Sequence, residues 1–125
     1  MNGIDSVLDS YFDAWNRAFQ SKNDTEIRAF LSKEFKGHFG RSEMTEAYTY
    51  DADYEIVPIL NMYTTAEKSF EVLSSAKRNS DREIVVIGNE QNLIDGELSK
   101  AKSMMIWRNE NNEWKLLREY IELEK

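Results

Sequence analysis

The sequence predicts an α+β domain, with helices first and a curved, mainly antiparallel sheet after them. Three observations carry that expectation. Apolar residues recur at spacings of three and four through the N-terminal part. From Glu67 onward the apolar period becomes two. Turn-forming clusters at Asn79-Ser80-Asp81, Asp95-Gly96 and Asn109–Asn112 divide that second part into four runs.

The first element is a helix. Ile4, Val7, Leu8, Tyr11, Phe12, Trp15, Ala18 and Phe19 form an apolar stripe, and Asp5, Asp9, Asp13, Asn16 and Arg17 fill the gaps. Asp5 and Asp9 lie toward its start, where the helix dipole favours negative charge. The polar stretch Ser21 to Asn23 ends it. Asp24 then suits the N-cap of a short second helix, which buries Ile27, Phe30 and Leu31. Phe35 to Gly40, with aromatics between two glycines, reads as a short strand with a bend. Arg41 to Asp53 shows no period and reads as a loop. A third helix is expected within Tyr54 to Thr65, with Ile56, Ile59, Leu60 and Tyr63 on one side. Its start lies near Ile56 or Val57, because Pro58 is tolerated only in the first turn. The four later runs are Ser69 to Lys77, Arg82 to Leu93, Glu97 to Arg108 and Glu113 to Leu123, an antiparallel meander.

Counting from a two-residue Asp95-Gly96 turn sets Val86 opposite Met105 and Ile84 opposite Trp107. A turn centred on Glu110-Asn111 sets Trp107 opposite Trp114 and Ser103 opposite Arg118. Strict alternation then places Trp107, Trp114, Leu116, Arg118 and Tyr120 on one face. Val85, Ile87, Met104, Ile106, Leu117 and Ile121 fall on the other. Three helices cover one face of such a sheet, not two. A bare apolar face is a sticky patch, so a homodimer packed sheet against sheet is expected, the alternative being a monomer with the long polar loop folded over that face.

Composition narrows the function. The 125 residues fit a single domain spanning 1–125, and 41% hydrophobic with 31% charged residues is globular. The absence of cysteine removes disulfides, zinc-thiolate sites and cysteine nucleophiles, and a single histidine argues against a histidine metal site. A net charge of −7 without a basic patch disfavours nucleic acid. No stretch reads as a signal peptide or a membrane helix, so a cytoplasmic protein with no metal or cofactor is expected.

The order helix, helix, strand, helix and meander, closing in Ile106-Trp107-Arg108, an Asn/Glu turn and Trp114-Lys115-Leu116-Leu117, resembles the nuclear transport factor 2-like superfamily. This is the cone fold shared with ketosteroid isomerases and polyketide-cyclase-like proteins, and the opening YFDAWNRAFQSKND is similar to its first helix and the entry to its second. The resemblance implies helices packed on the concave face of the sheet and a conical cavity faced by the last strand. Tyr11, Trp15, Trp107, Trp114, Arg118 and Tyr120 are then the expected ligand-binding residues. Arg118 either binds an anion, with Tyr120 donating a hydrogen bond, or bridges to an internal carboxylate. Tyr11 and Trp15, one turn apart, either stack on a flat ligand or form core. His38 lies close to where the isomerases keep their carboxylate base, which makes it the candidate catalytic acid or base, or else a structural histidine. No aspartate occupies Gly37 to Gly40, and methionines stand where the isomerases' second acid is expected. The loop AYTYDADY is a recognition loop near the rim or plain surface; its aspartates lack calcium-loop spacing, and no phosphate loop occurs. The expected function is binding of a small apolar or anionic molecule in an apolar conical pocket. The alternatives are a cofactor-independent isomerase, dehydratase or cyclase, and a dimerisation or protein-interaction module with a closed pocket.

Overall fold

A long amphipathic helix lies across the hollow side of a six-stranded sheet, and that pairing organises the molecule. The computed structural model describes residues 3–124. The elements in order are α1 (Gly3–Ser21), α2 (Thr25–Phe30), β1 (Leu31–Gly40), β2 (Tyr48–Asp51), α3 (Val57–Leu60), β3 (Ala66–Arg78), β4 (Glu83–Ile94), β5 (Glu97–Glu110) and β6 (Glu113–Leu123). The strands lie in the order β2-β1-β6-β5-β4-β3. Among the described residues only the β1–β6 pair is parallel, and the other neighbours are antiparallel. Among the described residues, no helix is long and apolar enough to cross a membrane.

The stripe read from the sequence is the stripe that α1 buries: Ile4, Leu8, Tyr11, Phe12, Trp15 and Phe19. Each such side chain gains about 2 kcal/mol by leaving water, which outweighs the weak helix preference of the aromatics. Against it the sheet sets Ile84 and Val86 from β4, Met105 and Trp107 from β5, and Leu116 from β6. Trp107 meets Tyr11 edge-on at 5.3 Å, and Phe12 stacks on Phe70 at 5.4 Å.

Three elements differ from expectation. β1 runs the full ten residues from Leu31: Leu31 pairs with Leu116, and after an irregularity Lys36 to Gly40 pair with Arg118 to Glu122 of β6. Part of the expected loop is β2, which adds Tyr48–Asp51 to the edge of β1. The third helix is a single turn with Pro58 inside it, anchored by the buried side chains of Ile56 and Leu60. Asp24 occupies the position before α2 without capping it; its carboxylate pairs with Arg28 at 2.7 Å, and Asn23 Oδ1 accepts the Thr25 amide instead.

The central correction concerns β6. The Asp95-Gly96 turn pairs Ile94 with Glu97, and Val86–Met105 and Ile84–Trp107 are opposite each other as counted. The last turn is Asn111-Asn112, so Trp107 faces Leu116 and Asn109 faces Trp114. Moving the register by two leaves the faces unchanged. A bulge then follows: Trp107 pairs with Leu116, but Ile106 pairs with Arg118, leaving Leu117 as the extra residue. One extra residue reverses every side chain beyond it. Arg118 and Tyr120 therefore lie on the convex face, and Glu119 turns into the cone.

Candidate functional site

The bulge at Leu117 delivers a carboxylate to the interior. Glu119 pairs with Met105 on one side and Gly37 on the other, and Gly37 pairs in turn with Tyr50. One row on the concave face thus reads Tyr50, Gly37, Glu119, Met105. The glycine is required there: a Cβ at Gly37 would stand 2.2 Å from the Tyr50 ring. With no side chain between them, Tyr50 reaches across β1 and its Oη donates to Glu119 Oε2 at 2.6 Å.

Glu119 is only 8% exposed. Burial pushes its carboxyl up to about 7; the Tyr50 hydrogen bond opposes this, the Glu90 charge adds to it, and Lys68 opposes it. Three tyrosines crowd the same space. Burial and then the Glu119 charge hold the phenols of Tyr11, Tyr50 and Tyr54 well above their ordinary range, so all three remain hydrogen-bond donors. Tyr50 and Tyr54 lie 4.9 Å apart, and Tyr54 also packs on Phe35. Arg28 holds the turn that presents Tyr54, donating to the carbonyls of Ala52 at 3.1 Å and Tyr54 at 2.6 Å. Lys22 fastens α3 and its exit through the carbonyls of Leu60 and Tyr63.

A second polar group lies farther along the concave face. Lys68 Nζ donates to Glu90 Oε2 and to Asn92 Oδ1, each at 3.0 Å, and Asn92 Nδ2 donates to Glu90 at 3.1 Å. The ammonium sits 5.2 Å from the centre of the Trp15 ring. Asn16 of α1 fixes this strand by accepting from the Lys68 amide at 2.7 Å and donating to its carbonyl at 3.0 Å. Glu90, Asn92, Ser103 and Glu119 are the buried polar residues of the concave face. The cone is therefore apolar and shut at its narrow end, where Trp107 and Met105 are fully buried, and polar in its remaining half.

The residues expected from the sequence divide accordingly. Tyr11 and Trp15 lie in the interior beside the two polar groups. Trp107 belongs to the packed narrow end. Trp114 lines an open groove of about 420 Å³ outside the cone, with Val7, Ser10, Ala29 and Phe30. Arg118 and Tyr120 face outward, a correction that removes them from any interior site. Arg118 meets no interior carboxylate, and its Nε is buried without a hydrogen-bond partner. His38 pairs with Tyr120 and stacks flat on its ring at 4.6 Å. It too lies on the convex side, one residue from the inward-facing Gly37, and so cannot address the cone. Among the described residues, no cluster of three or more acidic or histidine side chains is placed to hold a metal ion.

Glu119, Glu90 and Lys68 were not expected from the sequence, and Tyr50 was expected only as part of the AYTYDADY rim loop. Glu90 and Lys68 carried a usable signal, since each sits at an inward position of a strand whose neighbours alternate apolar. Glu119 carried none, because the bulge that turns it inward leaves no mark in LLREYIEL.

Comparison with known proteins gives the fold. No protein-family model matches the chain, and no curated protein matches it. Solved structures do. A protein of Caulobacter vibrioides with a cystatin-like fold is 10% identical, with a TM-score of 0.71 over 98% of this chain and 87% of that one. An NTF2-like protein of Cytophaga hutchinsonii is 14% identical, with a TM-score of 0.67 over 98% and 99%. An NTF-2 like protein of unknown function from Shewanella oneidensis is 9% identical, with a TM-score of 0.70 over 97% and 99%. The chain has the nuclear transport factor 2-like, or cystatin-like, cone fold.

Two predictions follow from the Glu119 geometry. Its carboxyl keeps a proton in the folded state up to about 7, against 4.5 ordinarily. Between those values the unfolded chain gives up the proton first, so this group lowers stability as pH rises from about 4.5 through 7. The loss is about 3 kcal/mol once complete. Glu119→Gln is expected to remove that loss: denaturant unfolding of the variant and the native chain should diverge in the variant's favour between pH 4.5 and 8. Gly37→Ala is expected to displace the Tyr50 ring and destabilise the fold by about 1–3 kcal/mol, with loss of the Tyr50–Glu119 bond visible as a shifted Glu119 titration.

Proposed function

We propose that this protein binds a small molecule in the polar half of its cone, with Glu119 and Tyr50 as the recognising pair. One observation carries the reading. A carboxyl group lies buried among three tyrosines and holds its proton to near neutrality, while farther along the same concave face lies a second, Lys68-linked carboxylate. Such a lining reads hydrogen-bonding groups on an otherwise apolar ligand. The interior sets two carboxyl groups against one ammonium, and Arg118 lies outside. The balance favours a neutral or basic ligand over the anion expected from the sequence.

The same pair supports the enzyme reading in a changed form. A carboxyl titrating near 7 is suited to giving and taking protons at working pH. The candidate acid or base of an isomerase, dehydratase or cyclase is then Glu119 rather than His38.

A homodimer through the convex face fits the second surface. Val85, Ile87 and Met104 lie there together, half-buried or exposed, with Ile87 45% exposed. Covering that apolar area is the ordinary reason for two such sheets to pack.

The test is thermal stabilisation by a panel of hydrophobic amines, neutral hydroxylated aromatics and matched carboxylates. Ligand at about a hundred times its Kd adds about 2.7 kcal/mol to stability. Amines or neutral compounds are expected to raise Tm, and Glu119→Gln and Tyr50→Phe are expected to abolish the rise. Stabilisation by carboxylates alone, or unchanged stabilisation in both variants, contradicts the proposal.

A further inference from the structure

The two edges of the sheet are not treated alike. β2 is four residues long. β3 is thirteen, and its two halves differ. The first half is closed off: Asn16 takes both the amide and the carbonyl of Lys68, Phe70 stacks under Phe12, and Lys68 points its charge inward. Those are the devices that keep a sheet edge from recruiting another strand. The second half has little of this protection. Every residue from Glu71 to Arg78 is exposed, on both faces of the strand. Among the described residues, no hydrogen bond from outside the sheet reaches the edge backbone between Phe70 and Arg78. The stretch Val72-Leu73-Ser74-Ser75-Ala76 carries no charge and no proline, and Leu73 is 56% exposed. A bulge at Leu73 bends the strand, and pairing with β4 is regular from Ser74 to Arg78.

We infer that the Glu71–Arg78 edge of β3 pairs antiparallel with the same edge of a second copy of this chain. The charge pattern selects that occupant. Glu71 stands at one end of the segment, with Lys77 and Arg78 at the other. Reversal about a two-fold axis brings the acid of each copy toward the bases of its partner, with the uncharged middle pairing on itself. Glu71 accepts from Asn89 at 3.1 Å and Arg78 pairs with Glu83 at 2.7 Å, both on the exposed surface, so each retains capacity for a partner. The segment carries one acid and two bases within a chain of net charge −7, which places it where two copies repel each other least. This contact is separate from the convex face and does not depend on ligand binding.

The experiment is sedimentation equilibrium of the full chain from micromolar to millimolar concentration, beside the double variant Leu73→Lys, Ala76→Lys and the convex-face variant Ile87→Lys. All three positions are exposed, so circular dichroism is expected to be unchanged. The native chain is expected to self-associate above 14.7 kDa, and the β3 variant to weaken that association about tenfold or more through like charges set across the pair. The step it removes is expected to persist in Ile87→Lys. A native chain that stays at 14.7 kDa throughout overturns the inference, and so does association that the β3 variant leaves unaltered. A nitroxide on Ser75→Cys, the sole thiol in a cysteine-free chain, gives an independent reading. Dipolar broadening is expected as the chain associates, and associated chains without broadening overturn the edge contact.

Discussion

A carboxyl group placed inside an apolar cone must be neutralised or paired, and most of the interior follows from how Glu119 meets that demand. Leaving a bare carboxylate there costs several kcal/mol even after the surroundings relax. Two features lower the cost. The proton stays on until near neutrality, and Tyr50 supplies a hydrogen bond at 2.6 Å. Each has structural prerequisites. Tyr50 reaches Glu119 only because position 37 has no side chain. Glu119 points inward only because Leu117 is bulged out of the ladder. Tyr54 closes the space because Arg28 grips the backbone on either side of it.

The cone divides by chemistry along its length. At the narrow end Phe30 meets Trp107 edge-on, and the Trp107 Nε1 hydrogen is left without an acceptor. That end gives rigidity. In the polar half, β2 and the turn carrying Tyr54 wall the Glu119 end, and α1 lies against Lys68. β2 is held by its pairing with β1 and α3 by buried Ile56 and Leu60, while Lys22 and Arg28 fasten the linking turns through backbone carbonyls. Short elements of this kind open at lower free energy than the core strands, which suits the ligand-binding role proposed for this half.

Much of the fold was legible because period and turn chemistry are local properties. The α1 stripe, the Asp95-Gly96 hairpin and the pairing of Val86 with Met105 all come from spacing alone. β2 was not legible, since Tyr48 to Asp51 is a strand only by virtue of the β1 edge beside it. The site was less legible still. Tyr11 and Trp15 were placed in the interior correctly because a helix repeats without interruption. Arg118 and Tyr120 were assigned to the wrong face, and Glu119 was passed over, because alternation propagates an error: one unpaired residue at Leu117 exchanges the inward and outward sets beyond it. His38 was placed on the correct strand but faces outward beside Tyr120, the parity opposite to Gly37.

The most direct measurement is a carbon-13 NMR titration of the Glu119 carboxyl in the folded protein, with the Tyr50→Phe variant beside it. The account predicts a midpoint near 7 for the native chain, rising further when the Tyr50 hydrogen bond to the carboxylate is removed. A midpoint in the ordinary glutamate range, unmoved by the variant, would mean that Glu119 faces water and that the cone has no such acid at its centre.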